Sequence, residues 1–76
     1  MIKFPQPVQL GESTVRWRLS DLLRYEAARA GTDPAAVSVG AEQFLRDQQV
    51  AERYGVARGS IWRWAAAARE ASEAAA

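Results

Sequence analysis

The chain contains no cysteine and no histidine among its 76 residues. Their absence excludes disulfide bonds, a thiolate nucleophile, a Cys/His metal centre and a histidine-based catalyst. The sequence also lacks an apolar run near the about 18 residues that a membrane-spanning helix needs, and it lacks the charged start and hydrophobic stretch of a signal peptide. We therefore predict a cytoplasmic protein with no membrane contact, no metal and no other cofactor.

Lysine is nearly absent as well, since nine of the ten basic residues are arginine. The net charge of +1 is low for a nucleic-acid-binding protein. The distribution of charge weakens this argument against nucleic-acid binding, because Glu70 and Glu73 of the C-terminal stretch lower the net charge of the chain. Arginine carries a planar fork of donors that pairs bidentately with a guanine edge or a phosphate.

The length of 76 residues predicts one domain, spanning residues 1–76. A domain of this size buries only roughly 60% of its unfolded surface, so its core must be compact or shared with a partner. Homo-oligomers or filaments on DNA are therefore compatible with the sequence.

Residues 47–66, DQQVAERYGVARGSIWRWAA, have the spacing of a helix-turn-helix. Small Ala51 suits the closest helix crossing, Gly55 suits the positive φ that ends the first helix, and Asp47 is a good N-cap. An ordinary αα-hairpin has part of the same spacing. The apolar positions that would lock the two helices together are Val50, Tyr54, Val56, Ile61 and Trp64.

The residues after the turn cannot all face the core that Ile61 and Trp64 are predicted to occupy, so several face outward at the start of a helix suited to a DNA major groove. Trp62 has two interpretations: it rests on sugars or a thymine methyl, or it belongs to the core. The candidate DNA-binding residues on the two helices are Gln48, Gln49, Arg53, Arg58, Gly59, Ser60, Trp62 and Arg63.

Residues 1–19 read as an extended arm and a β-hairpin. Prolines in KFPQP keep the arm extended, and Val8–Leu10 and Val15–Leu19 alternate apolar and polar residues around a turn at 11–14. The hairpin is predicted to pack Val8, Leu10, Val15 and Trp17 on the helices, as the wing of a winged helix-turn-helix. Wing residues expected to reach the adjacent minor groove are Ser13, Thr14, Arg16 and Arg18.

Residues 20–31 are predicted to form a helix with Ser20 as N-cap and Gly31 as C-terminal cap. Residues 32–43 form a connector, in which Asp33-Pro34 starts a short helical turn. Residues 44–76 form the helix-turn-helix, introduced by a Phe44-Leu45 staple. Its second helix runs on into AAAAREASEAAA, which is either a solvated helix end or a self-association surface.

Two segments resemble one known family. KFPQPVQLGESTVRWRLSDLLRYEAAR is similar to the second half of AlpA-like regulators and phage excisionases, and FLRDQQVAERYGVARGSIWRW is similar to the first half, whose helix-turn-helix is related to that of MerR-type regulators. The resemblance covers about 48 of 76 residues. The resemblance implies sequence-specific binding to double-stranded DNA, as a transcription regulator or as an excisionase, with RNA polymerase or a recombinase as a further partner. It also implies a nucleoid-associated protein of a bacterial host.

The order of the two halves is reversed relative to that family. Either the chain is circularly permuted, with residues 31–43 bridging the old termini, or each wing completes the helix-turn-helix of a neighbouring molecule. The predicted fold is therefore mostly α with a small β-hairpin, a winged helix-turn-helix that is permuted or domain-swapped.

Two other classes of function are also considered for this sequence pattern. A protein-interaction or assembly module, such as a component similar to the small subunit of a phage terminase, would use the same helices to grip a partner. An enzyme is the least favoured class, because no pair of reactive side chains has a recognisable catalytic spacing.

Overall fold

The computed structural model describes residues 3–75 and begins with an extended arm that leads into a β-hairpin. Strand β1 (Val8–Gln9) pairs antiparallel with strand β2 (Val15–Arg18), with Val8 opposite Arg16. The backbone N–H of Leu10 donates to the Thr14 carbonyl across the turn at 2.8 Å. The predicted hairpin is thus confirmed, and each strand ends one residue earlier than its alternating pattern suggested.

A third strand, β3 (Phe44–Leu45), was not predicted. It pairs antiparallel with β2, placing Trp17 opposite Leu45, so that the sheet has the order β1-β2-β3. Leu45 is half-buried and packs against the core, whereas Phe44 is 47% exposed. The expectation that both residues staple the following helix is therefore wrong for Phe44. Two residues are too few to show the alternation by which a strand is recognised.

Helix α1 (Leu19–Ala30) follows β2 directly. The prediction that Ser20 is its N-cap is wrong, because Ser20 lies inside the first turn and is buried. The Glu42 carboxylate instead accepts hydrogen bonds from the Ser20 backbone N–H at 3.0 Å and from its hydroxyl at 2.5 Å. These bonds hold the pKa of Glu42 below its ordinary value. Glu42 thereby satisfies a free donor of the helix start from 22 residues away.

Gly31 ends α1 with a φ of 83°, as predicted for a C-terminal cap. The short helical turn predicted at Asp33-Pro34 is also confirmed, as a 3-10 turn at Pro34–Ala36 whose Ala35 N–H donates to the Asp33 carboxylate. Val37, next along the connector, is half-buried. The connector thus links α1 to β3 with little regular structure of its own.

Helix α2 (Asp47–Tyr54) and helix α3 (Arg58–Ala75) are joined by a tight turn at Gly55, whose φ is 67°. The positive φ confirms the role predicted for this glycine. Asp47 is the first helical residue and not the N-cap. Arg46 occupies the N-cap position, and its backbone N–H donates to the Gln49 side chain at 2.9 Å.

Helix α3 has 18 residues and is therefore about 27 Å long. It continues through the alanine-rich stretch, as its helix propensity predicted. Within residues 3–75, no helix combines the length and the apolar character that crossing a membrane requires.

The hydrophobic core joins both halves of one chain. Trp17 of β2 is fully buried, and its indole N–H donates to the Pro5 carbonyl at 2.9 Å. Two predicted core positions are wrong: Leu10 is 51% exposed, and Trp64 is 36% exposed because Ala65 takes the buried place one residue later on α3. The buried apolar residues are Phe4, Trp17, Leu22, Val50, Ala51, Ile61 and Ala65.

The N-terminal arm lies across α3 and closes one side of the core. Phe4 is only 7% exposed, and its ring centroid lies 5.2 Å from that of Tyr25 and 5.5 Å from that of Trp64, edge to face in both cases. Gln6 donates a side-chain hydrogen bond to the Ala65 carbonyl at 2.8 Å. These contacts explain why a segment without regular structure is well packed.

We expect Trp17→Ala and Ile61→Ala each to lower the free energy of unfolding by roughly 2 to 5 kcal/mol, because each leaves a cavity in the core. Urea unfolding followed by far-UV circular dichroism measures the change. Leu10→Ala is the control, and its half-exposed side chain should contribute much less. Equal stability of all three variants and the parent chain would contradict the packing described.

Candidate nucleic-acid interface

The first two turns of α3 present polar side chains on the molecular surface. Arg58 has 65% of its side chain exposed, and Gly59 and Arg63 are exposed too. Ser60 is half-buried, and its hydroxyl accepts a hydrogen bond from Arg63 at 2.8 Å. The opposite face of the same turns is anchored by Ile61, which is fully buried. The start of α3 is therefore packed on the core through Ile61, and its other face is exposed to solvent.

Trp62 is partly packed against the core and partly exposed, so each of the two interpretations describes part of its side chain. Its ring lies edge to face against Trp17, with centroids 4.9 Å apart, and its indole N–H donates to the Asp47 carboxylate at 2.9 Å. The residue is nevertheless 41% exposed. One part of the ring is packed and another part remains on the surface, next to the exposed arginines of α3.

The starts of α2 and α3 border a shared polar groove of about 390 Å³. Asp47 connects the two helices across it, since its carboxylate lies 3.9 Å from the Arg58 Nε. Gln48 donates to Glu52 at 3.3 Å. The groove is lined by Arg46, Asp47, Gln48, Gln49, Glu52 and Arg58.

Three of the predicted residues therefore meet in one place: Gln48, Gln49 and Arg58. Arg46 belongs to the same groove and was missed by the sequence analysis. The signal that would have found it is its place immediately before the predicted helix start at Asp47. Backbone groups and cations at the beginning of a helix are suited to phosphate contacts.

Arg53 does not belong to this groove. Its guanidinium donates to both carboxylate oxygens of Glu26, at 2.6 and 2.7 Å, and the Tyr54 hydroxyl donates to the same carboxylate at 2.7 Å. The hydrogen bond from Arg53 lowers the pKa of Glu26, and burial raises the pKa of Tyr54. Arg53 thus ties α2 to α1. This pairing could not be predicted from the sequence, because 27 positions separate the partners.

The four predicted wing residues lie outside the groove. Ser13 and Thr14 are exposed in the hairpin turn. Arg16 is half-buried and donates to the Val15 carbonyl at 2.8 Å. Arg18 forms a salt bridge of 3.1 Å with Asp21 at the start of α1. The hairpin turn is thus exposed, whereas Arg16 and Arg18 each contact another group of the chain.

An apolar cavity of about 670 Å³ lies elsewhere, between α1, the arm and the middle of α3. None of the predicted DNA-binding residues lines it. Its walls are Lys3, Phe4, Tyr25, Arg29, Trp64, Ala67 and Ala68. The cavity and the polar groove are therefore separate features of the surface.

Comparison of the chain with protein-family models, curated proteins and solved structures gives no match. The resemblance to AlpA-like regulators and excisionases consequently remains an interpretation of the sequence motifs.

We expect Glu26→Gln to lower the free energy of unfolding at neutral pH by about 1 kcal/mol, since the ion pair is partly exposed. The depressed pKa of Glu26 stabilises the fold above its ordinary value of 4.5, and this stabilisation is lost as the pH falls through the folded-state pKa. The stability of the parent chain should therefore decrease more on acidification than that of the variant.

Urea titrations at neutral and acidic pH measure this difference. Glu70→Gln is the control, because Glu70 is an exposed residue of α3. Identical pH dependence of the parent chain and the Glu26 variant would show that the Glu26–Arg53 pair contributes nothing to stability.

Proposed function

We propose that this protein binds double-stranded DNA with sequence specificity, placing the first two turns of α3 in the major groove. The observation that carries the proposal is the exposure of Arg58 and Arg63 on a helix start whose other face, at Ile61 and Ala65, is buried. An α-helix fits the major groove, where arginine recognises guanine bidentately through O6 and N7.

The start of α2 supplies the phosphate contacts. Arg46, Gln48 and Gln49 border the groove beside Arg58, and they combine one cation with two side-chain amides. Contacts of this kind position a protein on the duplex, while the contacts of the second helix to base edges select the sequence. Gly59 lacks a side chain, so the backbone of α3 can approach the DNA closely there. The exposed part of Trp62 rests on sugars or a thymine methyl.

The hairpin acts as a wing whose exposed turn, with Ser13 and Thr14, reaches the adjacent minor groove. Arg16 and Arg18 join these contacts only by exchanging their present partners, the Val15 carbonyl and Asp21. Arg53 is excluded from the DNA-binding set, because its guanidinium is already paired with Glu26.

The resemblance of the motifs supports a role as a transcription regulator or as an excisionase, with RNA polymerase or a recombinase as partner. The hairpin, α1 and the α2–α3 pair share one core within a single chain. This packing supports a permuted unit in which residues 31–43 connect the two halves, in preference to a domain swap.

A second candidate function is an assembly module, such as a DNA-packaging component. The observation that favours it is the apolar cavity beside the middle of α3, where Ala67 is exposed. An assembly module would bind its protein partner there, without the salt dependence that counterion release gives to DNA binding.

We expect Arg58→Ala and Arg63→Ala each to weaken binding to a selected duplex by about 1 to 3 kcal/mol, because each removes a contact to a base edge or a phosphate. Arg69→Ala is the matched control, since Arg69 is an exposed arginine of the same helix, beyond the groove. Fluorescence anisotropy with duplexes selected from a random library measures the affinities.

The affinity of the parent chain should also fall between about 50 and 200 mM salt, with a slope that reports the number of phosphate contacts. Equal affinities of the Arg58, Arg63 and Arg69 variants would refute the assigned interface. Absence of any salt-dependent duplex binding would favour the assembly module.

A further inference from the structure

The polar groove at the starts of α2 and α3 carries no net charge, although the proposed function places it against DNA. Arg46 and Arg58 contribute two positive charges, and Asp47 and Glu52 contribute two negative charges. Most of the sequence-independent affinity of a DNA-binding protein comes from cations that neutralise phosphates. A neutral groove therefore needs an explanation, and the low net charge of the whole chain is in line with it.

Asp47 is the acidic residue that lies between the two helices. One carboxylate oxygen accepts a hydrogen bond from the Gln48 backbone N–H at 2.7 Å. The other accepts from the Trp62 indole at 2.9 Å and lies 3.9 Å from the Arg58 Nε. Asp47 is thus held by the first turn of α2 and faces two residues that the proposed function places on DNA.

The contact with Asp47 involves only one edge of the Arg58 guanidinium. Nε is the atom nearest to the carboxylate, and the terminal nitrogens form no hydrogen bond with other residues in the 3–75 range. At 3.9 Å this is an ion-pair distance and not a hydrogen bond, so the donors of Arg58 remain available to a base edge. The charge of Arg58 is partly offset, however, so a lone phosphate is bound less strongly.

We propose that Asp47 is a specificity-determining residue, whose carboxylate positions Trp62, partly offsets the charge of Arg58 and suppresses sequence-independent binding to phosphates. The inference rests on the proposed function. A correct base edge accepts hydrogen bonds from the free donors of Arg58. A phosphate in a random sequence must instead approach the Asp47 carboxylate, and like charges repel. Asp47 therefore lowers affinity for random DNA more than affinity for the selected site.

The test is Asp47→Asn, which removes the charge and retains an oxygen acceptor for the Trp62 indole. Glu70→Gln is the matched control, because it makes the same change in net charge on α3 outside the groove. Arg58→Gln, alone and combined with Asp47→Asn, shows whether the effect acts through Arg58. Affinities for a random-sequence duplex and for a duplex selected with the parent chain are measured across a range of salt concentrations.

We expect Asp47→Asn to bind the random duplex about fivefold more tightly, the factor expected for one charge interaction at 4 Å in water. Its salt slope should steepen by about 0.9, the value for one additional phosphate contact. The selected duplex should gain less, so that the ratio of specific to random affinity decreases. In the Arg58→Gln background the gain should disappear.

A gain in Asp47→Asn no larger than that in Glu70→Gln, or an equal gain without Arg58, would overturn the inference and leave DNA binding intact. Failure of every variant and the parent chain to bind any duplex would contradict the proposed function and this inference together. Should the Asn variant lose its far-UV helix signal, Asp47→Ser, which keeps a short acceptor at the helix start, replaces it under the same criteria.

Discussion

Trp17 is fully buried and holds the hairpin, the arm and the helices together in one core. A two-stranded hairpin is marginal alone, and this one is held because Trp17 inserts between the arm and the α2–α3 pair. Its indole N–H is satisfied by the Pro5 carbonyl, and its ring supports Trp62 from below. The same side chain therefore fixes the hairpin, the arm and the exposed start of α3, so the fold and the candidate interface share one anchor.

The features that could be predicted from the sequence are local. Both positive-φ glycines, Gly31 and Gly55, are helix ends that the apolar pattern and glycine chemistry indicate together. The hairpin followed from the alternation in Val15–Leu19. The errors arose where a distant residue decides the outcome: Glu42 takes the capping role assigned to Ser20, and β3 exists only because β2 offers it an edge.

In the candidate site, too, only the local features could be predicted from the sequence. The exposed arginines of α3 follow from helical periodicity around Ile61, which is a local property. Two contacts depend on how the helices cross: the ion pair of Arg53 with Glu26 and the hydrogen bond from Trp62 to Asp47. Neither contact can be predicted from the spacing of residues along the chain. The contact between Trp64 and Phe4 has a similar origin, because the arm reaches α3 only in the folded chain.

The proposed DNA interface is tested most directly by titrating isotope-labelled protein with duplex DNA and recording the backbone amide chemical shifts. We expect the largest changes at residues 46–49 and 58–63, smaller changes in the hairpin turn, and none of comparable size at Tyr25 or Ala67. Changes confined to the distal half of α3 and the apolar cavity, with the starts of α2 and α3 unaffected, would contradict the proposed interface.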